Sequence, residues 1–142
     1  MVEMAIVLTI GSILIGFAMP RLQDTLSQRD VSGTRDGVML LAARARARAM
    51  EQAQTVEFHL NEDHGIAAVL QAGDTIEALR FGAELGVAVR SEAGNLVMCY
   101  TARGYATEPC STDLAGAAEV VFHRGSNTAS LEVWQLGQLR KL

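Results

Sequence analysis

The sequence predicts an α+β fold. A long N-terminal hydrophobic helix continues into an amphipathic helix, which packs on a mostly antiparallel β-sheet. Three observations predict this. The chain opens on an uncharged run over residues 4–19. An Ala-rich stretch after Gly37 repeats its apolar residues at helical spacing. From Thr55 onward apolar and polar residues alternate, as in strands with one buried face. At 142 residues there is room for one core. Three segments result: 1–20 as the hydrophobic helix, 21–54 as a polar helical segment, and 55–142 as the sheet domain.

In the first segment, "MVEMAIVLTIGSILIGFAMP", only Thr9 and Ser12 are hydroxylic between Met4 and Met19. Helix over that run spans about 24 Å at ~1.5 Å per residue, slightly short of a hydrocarbon core of about 30 Å. Met1 and Val2 extend it. A secretory signal would begin with Lys or Arg and close on small residues. Here the first charge is Glu3, and Phe17-Ala18-Met19-Pro20-Arg21 is a poor cleavage site. A soluble core helix would turn a polar face to water, and this one is apolar all round. The segment therefore reads as a transmembrane anchor. A carboxylate costs about 2.5–3.5 kcal/mol at a bilayer centre and less near an end, so Glu3 calls for a cationic partner. Pro20 removes one backbone hydrogen bond and, with Gly16, marks a point for bending; a simple helix end is the alternative.

Leu22, Leu26 and Val31 continue at loosely helical spacing, with Gly33 and Gly37 expected to weaken the helix and break it locally. In "DGVMLLAARARARAMEQAQ", Leu40, Ala43, Ala47 and Met50 form one stripe, expected to lie against the sheet. Arg44 and Arg48 share a face at ~100° per residue, while Arg46 points away, so the three make no continuous phosphate-tracking stripe. "TVEFHL" turns Val56, Phe58 and Leu60 one way, and "NEDHG" leads into "IAAVLQ" as a hairpin. Further strands are expected over 76–81, 87–90, 96–101, 119–123 and 129–136, with turns at 63–65, 93–95 and 125–127.

Twelve basic against sixteen acidic residues give a net charge of −4, which disfavours a general nucleic-acid binder. Cys99 and Cys110 belong to no CxxC pair and have no His at zinc-finger spacing. In an oxidising compartment a disulfide closing that short loop is expected; two partly buried free thiols are the alternative. His59, His64 and His123 are scattered, and neither a nucleophile elbow nor a phosphate loop is present. No catalytic residue, metal ligand or cofactor is expected, and the chain does not read as an enzyme.

The opening stretch resembles the N-terminus of type IV pilins and type II secretion pseudopilins after leader cleavage. In that family a Glu near the head of an apolar helix and a Pro closing its membrane half stand at the separation of Glu3 and Pro20. "LLAARARARAMEQAQTVEF", "LVMCYTARGYAT" and the closing "LEVWQLGQLRKL" are similar to the H-type minor pseudopilins, the GspH/FimT-like group. Family precursors carry a short basic leader ending in Gly, then Phe and usually Thr, before this match begins. The resemblance thus leads us to expect a start upstream of Met1 and a prepilin peptidase as processing enzyme.

The resemblance implies the pilin-like fold and a structural role. The expected protein is a minor pseudopilin of the type II secretion system, near the tip of a periplasmic pseudopilus. It would be a single-pass protein of the bacterial inner membrane, with its sheet domain in the periplasm. Its partners would be other major and minor pseudopilins and the inner-membrane assembly platform. Glu3 would pair with the amino terminus of a neighbouring subunit. The alternative is a FimT-like minor pilin of a type IV pilus, aiding assembly or DNA uptake. Some FimT-like members carry a Gly-Arg-x-Arg motif at the C-terminus. Here Gly137-Gln138-Leu139-Arg140-Lys141 replaces the first Arg with Gln, leaving Arg140 and Lys141 as the DNA contacts of that alternative.

Overall fold

The computed structural model describes residues 2–108, 110–114 and 116–142. Side chains before Arg21, Val7 excepted, lie outside the described set. Helix α1 runs Val2–Gln52. β1 (Val56–Asn61), β2 (Ile66–Gln71) and β3 (Asp74–Leu79) follow, then the single-turn α2 (Phe81–Leu85). β4 (Ala88–Ser91), β5 (Leu96–Tyr100), β6 (Ala117–Arg124), β7 (Asn127–Trp134) and β8 (Leu139–Lys141) complete the chain.

The strands form two antiparallel sheets, ordered β3-β2-β1-β5 and β4-β6-β7-β8. The alternation in β1 buries Val56, Phe58 and Leu60, as its pattern requires. Leu96, Met98 and Tyr100 of β5, Val120 and Phe122 of β6, and Leu131 and Val133 of β7 join them in one core. α1 lies across both sheets, against β1 and β2 on one side and β6 and β7 on the other. A helix with one apolar stripe and sheets with one apolar face have few other ways to leave water.

Four expectations are corrected. Gly33 and Gly37 do not break α1. Glycine costs a helix interior only about 1 kcal/mol, which packing of the surrounding turns outweighs. A Cβ at Gly37 would come within 3.0 Å of Leu79 Cδ2, so the glycine lets β3 approach.

The stripe Leu40, Ala43, Ala47 and Met50 does not face the sheets: Leu40, Ala43 and Met50 are exposed and Ala47 is half-buried. The buried face is Val31, Val38, Leu41, Ala42, Ala45 and Ala49. Ala45 and Ala49 are fully buried, and their small side chains let the helix axis sit close over two sheets at once. Thr34 shares this face and satisfies its hydroxyl by donating to the Asp30 carbonyl at 2.7 Å.

The expected strand over 76–81 ends at Leu79. Phe81 starts α2 and is fully buried, edge-on to Phe122 with ring centroids 5.8 Å apart. Gly82 donates its N–H to the Gly65 carbonyl at 2.9 Å. A Cβ on Gly65 would meet Gly82 Cα at 2.7 Å, so no side chain fits at this crossing. Gly86, at φ +62°, ends α2. The strand expected over 129–136 is instead β7, ending at Trp134, and a tight turn through Gly137 leads into β8.

Candidate functional site

The described residues present surfaces rather than a reaction centre. One lies on α1 itself. At ~100° per residue, Leu22 and Leu40 return to the same azimuth, and Leu26 and Gly33 lie within about 40° of them. All four are exposed, Leu22 by 62% and Leu40 by 53%. This line stands about 140–180° from Ala45 and Ala49, and by the same count the exposed Arg29, Asp36 and Arg44 fall within about 40° of it, so α1 carries one buried stripe of Val, Leu and Ala and, opposite it, a line of exposed leucines interspersed with charge. One is buried in the fold and the other faces outward. Gly33, with nothing within 4 Å of a Cβ built on it, and the exposed Ala43 keep the outward stripe low enough for a second helix to approach.

The far end of α1 borders a groove of about 400 Å³ between the helix and the β7–β8 turn, lined by Met39, Arg46, Met50, Tyr100, Gly137 and Leu139 among others. Tyr100 is its floor. Its hydroxyl donates to the Gly137 carbonyl at 2.8 Å, and burial pushes its pKa well above the ordinary tyrosine value. Gly137, at φ +78°, presses against that ring, leaving no room for a Cβ.

At the near end, the β6–β7 hairpin is tied to α1. Arg124 pairs with Asp30, and Asn127 Nδ2 donates to Asp24 Oδ1 at 2.8 Å. Arg44 pairs with Glu77 of β3, and Arg48 lines the same hollow. Arg46 sits on the other side, beside the groove.

The C-terminal cations are separated by the pleat of β8. Lys141 Nζ lies 2.9 Å from Asp36 Oδ1 on α1. Its hydrogen bond, helped by Arg35 and opposed by slight burial, holds the Asp36 carboxyl below the usual range. Arg140 stands opposite Glu132 in the β7–β8 register, and Glu132 stands opposite Glu119 of β6. Neither cation therefore sits in a basic surround.

Cys99 and Cys110 are joined in a disulfide, with Cα atoms 5.8 Å apart. The Glu57 carboxylate and both sulfurs fall within 4.8 Å of one another, but the S–S bond occupies the sulfurs. His59 Nε2 lies 2.9 Å from Glu57, and His64 bonds Asn61. Glu3, Gly16 and Pro20 belong to α1, but their side chains, and so the pairing and bending expected of them, lie outside the described residues. Among the described residues no helix is long and apolar enough to cross a membrane; the side chains of the run over 4–19, Val7 excepted, lie outside that set.

The sequence matches no family model and no curated protein. Solved structures do match. The type IV minor pilin FimU of Pseudomonas aeruginosa superposes with a TM-score of 0.58 at 12% identity, over 80% of this chain and 89% of that one. The minor pseudopilin EpsH, from the type 2 secretion system of Vibrio cholerae, gives 0.59 at 12% identity, over 80% and 96%. The fold is pilin-like. Identities this low establish architecture alone. The outward stripe and the groove were not separable by periodicity, because both α1 stripes repeat at the same spacing. The β7–β8 turn has a signal that the sequence reading missed, Gly137, which adopts a φ of +78° before the last strand.

Proposed function

We propose that this chain is a structural subunit of a helical filament, a minor pseudopilin of a type II secretion system. The observation that carries the proposal is the line of exposed leucines on α1. Leu22, Leu26 and Leu40 are large, exposed and aligned, on the side of the helix that the fold does not use. They continue from the uncharged run over residues 4–19. A surface of this kind is satisfied by other helices, and a filament with a central helix bundle supplies them. Likeness in fold to a minor pseudopilin and a minor pilin supports the same reading.

In this proposal the subunit waits in the inner membrane as a single-pass protein, with its sheets in the periplasm, where the Cys99–Cys110 bond persists. Glu3 pairs with a neighbour's amino terminus, since a buried carboxylate is costly without a cation, and the pairing fixes axial register. Glu3→Leu as sole copy is expected to insert into the membrane and fail to enter filaments. Normal secretion by that strain would refute the proposal.

The likeness to FimU favours a second reading, a minor pilin of a type IV pilus. Genes beside this one, secretion or pilus and competence, separate the two. DNA contact at Arg140 and Lys141 gains no support from their acidic partners, and a gel shift with the full chain in detergent is expected to be negative.

A further inference from the structure

Two four-stranded sheets leave four edge strands among the described residues: β3 and β5 in one, β4 and β8 in the other. An edge offers unpaired N–H and C=O groups to any passing strand, and natural sheets blunt it with charge or a cover. β3 carries Asp74 and Glu77, β4 carries Arg90, and β8 carries Arg140 and Lys141. β5, Leu96-Val97-Met98-Cys99-Tyr100, has no charge, no Pro and no Gly. That is the composition of a segment that adds strands readily.

This uncharged edge is also the covered one. Thr112 donates its N–H to the Val97 carbonyl at 2.8 Å, and Val97 donates to Thr112 Oγ1 at 2.8 Å. Cys99 donates its N–H to Ser111 Oγ at 3.0 Å, and its carbonyl accepts from the Thr107 N–H at 3.2 Å. The outward N–H and C=O of both Val97 and Cys99 are thereby satisfied. Two of the four bonds use hydroxyls, so the cover imitates a strand without being one. Thr107, Ser111 and Thr112 are half-buried, and Glu108 and Cys110 are exposed, so among the described residues of this stretch little apolar burial holds it down. The Cys99–Cys110 bond pins it at its centre.

We propose that the cover made by Thr107, Ser111 and Thr112 around Cys110 is a releasable plug, and that opening the disulfide converts β5 into a docking edge for β5 of a second copy. The occupant follows from the strand itself. An antiparallel pair of identical uncharged strands meets no like charge, whereas each other edge would set a charge against this one or against its own copy. A dithiol reductant opens the plug at the exposed Cys110 sulfur. Its thiolate forms a mixed disulfide there and releases the Cys99 thiolate; its second thiol then closes the reductant's own disulfide and frees Cys110. Two electrons pass to the protein, and the dithiol's two protons end on the two cysteines.

The test uses the full chain in detergent micelles. Relative to the oxidised chain, Cys110→Ser, and independently the wild type with dithiothreitol, is expected to double in protein mass by light scattering. Adding Val97→Lys to Cys110→Ser is expected to restore the monomer. In that monomer the Cys99 amide exchanges at least ~10-fold faster than in Val97→Lys with its disulfide intact. Unchanged Cys99 exchange overturns the plug. Unchanged mass in both the reduced and the Cys110→Ser chains overturns the docking edge. A dimer that survives Val97→Lys overturns the choice of β5.

Discussion

The two sides of α1 differ in the size of their apolar residues and in charge, Arg29, Asp36 and Arg44 all standing on the outward side. The buried side is rich in alanine, with Ala42, Ala45 and Ala49 among Val31, Val38 and Leu41; the outward side carries Leu22, Leu26 and Leu40. Transfer free energy alone would bury the leucines, at about 0.8 kcal/mol for each methylene. Close approach to two sheets decides instead, because small side chains let many neighbouring groups reach contact distance at once. The fold thus uses the face of small, uncharged side chains that packs closely, and leaves leucines exposed among charges on the other.

The sharpest way to break this comparison is to place the same charge on each side. Ala45→Asp puts an unpaired carboxylate in a fully buried site and is expected to cost more than about 4 kcal/mol, abolishing the thermal unfolding transition. Leu40→Asp is expected to stay within about 0.5 kcal/mol of wild type in the same melt, while incorporation into filaments is lost. Equal damage to stability from both would mean that the outward stripe belongs to the fold.

A smaller effect is expected where the far end of the helix meets the β7–β8 turn. Tyr100→Phe keeps the ring against Gly137 and leaves that buried carbonyl without its donor. The expected loss is about 1–2 kcal/mol, read as a lower denaturation midpoint at unchanged slope.

The two helix glycines give a finer contrast. Gly33 faces open space on the outward side, so Gly33→Ala is expected to raise stability by about 0.5–1 kcal/mol. Gly37→Ala is expected to return less than that, because the new methyl crowds Leu79 at 3.0 Å. Paired thermal melts compare them directly.

The least effect concerns the tail. The folded-state pKa of Asp36 lies below its ordinary value of 3.8. Its pairing with Lys141 therefore contributes fully above about pH 4 and is lost as pH falls through the folded value. Both groups are half exposed, so global stability is expected to change little. Amide protection across β8, after allowing for the intrinsic pH dependence of exchange, is expected to fall as pH drops through that folded value, and Asp36→Asn to abolish that step.

The long helix, the β1–β2 hairpin and the turns at 63–65, 93–95 and 125–127 were legible, because each rests on local periodicity or on a residue suited to a turn. The side of α1 that packs was not. Both of its stripes repeat at helical spacing, and ranking them by size selects the wrong one. α2 was hidden because Ile76 to Phe81 alternates plausibly as a strand, and only the Gly65–Gly82 crossing shows why the chain must turn at Arg80. The division into two sheets depends on pairings such as Val56 with Tyr100, which no local pattern encodes. Of the candidate surfaces, the turn at Gly137 was not read, although the expected strand stopped just before it, and its ring contact with Tyr100, 37 residues away, has no local signal.

The continuity of α1 across Gly33 and Gly37 sets the orientation of everything attached to it. Each residue of helix advances about 1.5 Å and turns about 100°. If neighbouring rods were to slip by one residue along their shared seam, each head would climb by less than a bond length or so and swing by more than a quarter of a revolution. The sheets, the groove and the disulfide segment would then face new compass bearings around the proposed filament. In that filament an uninterrupted rod would work as a dial: the axial position of its lower half would select which side of the head its neighbours meet.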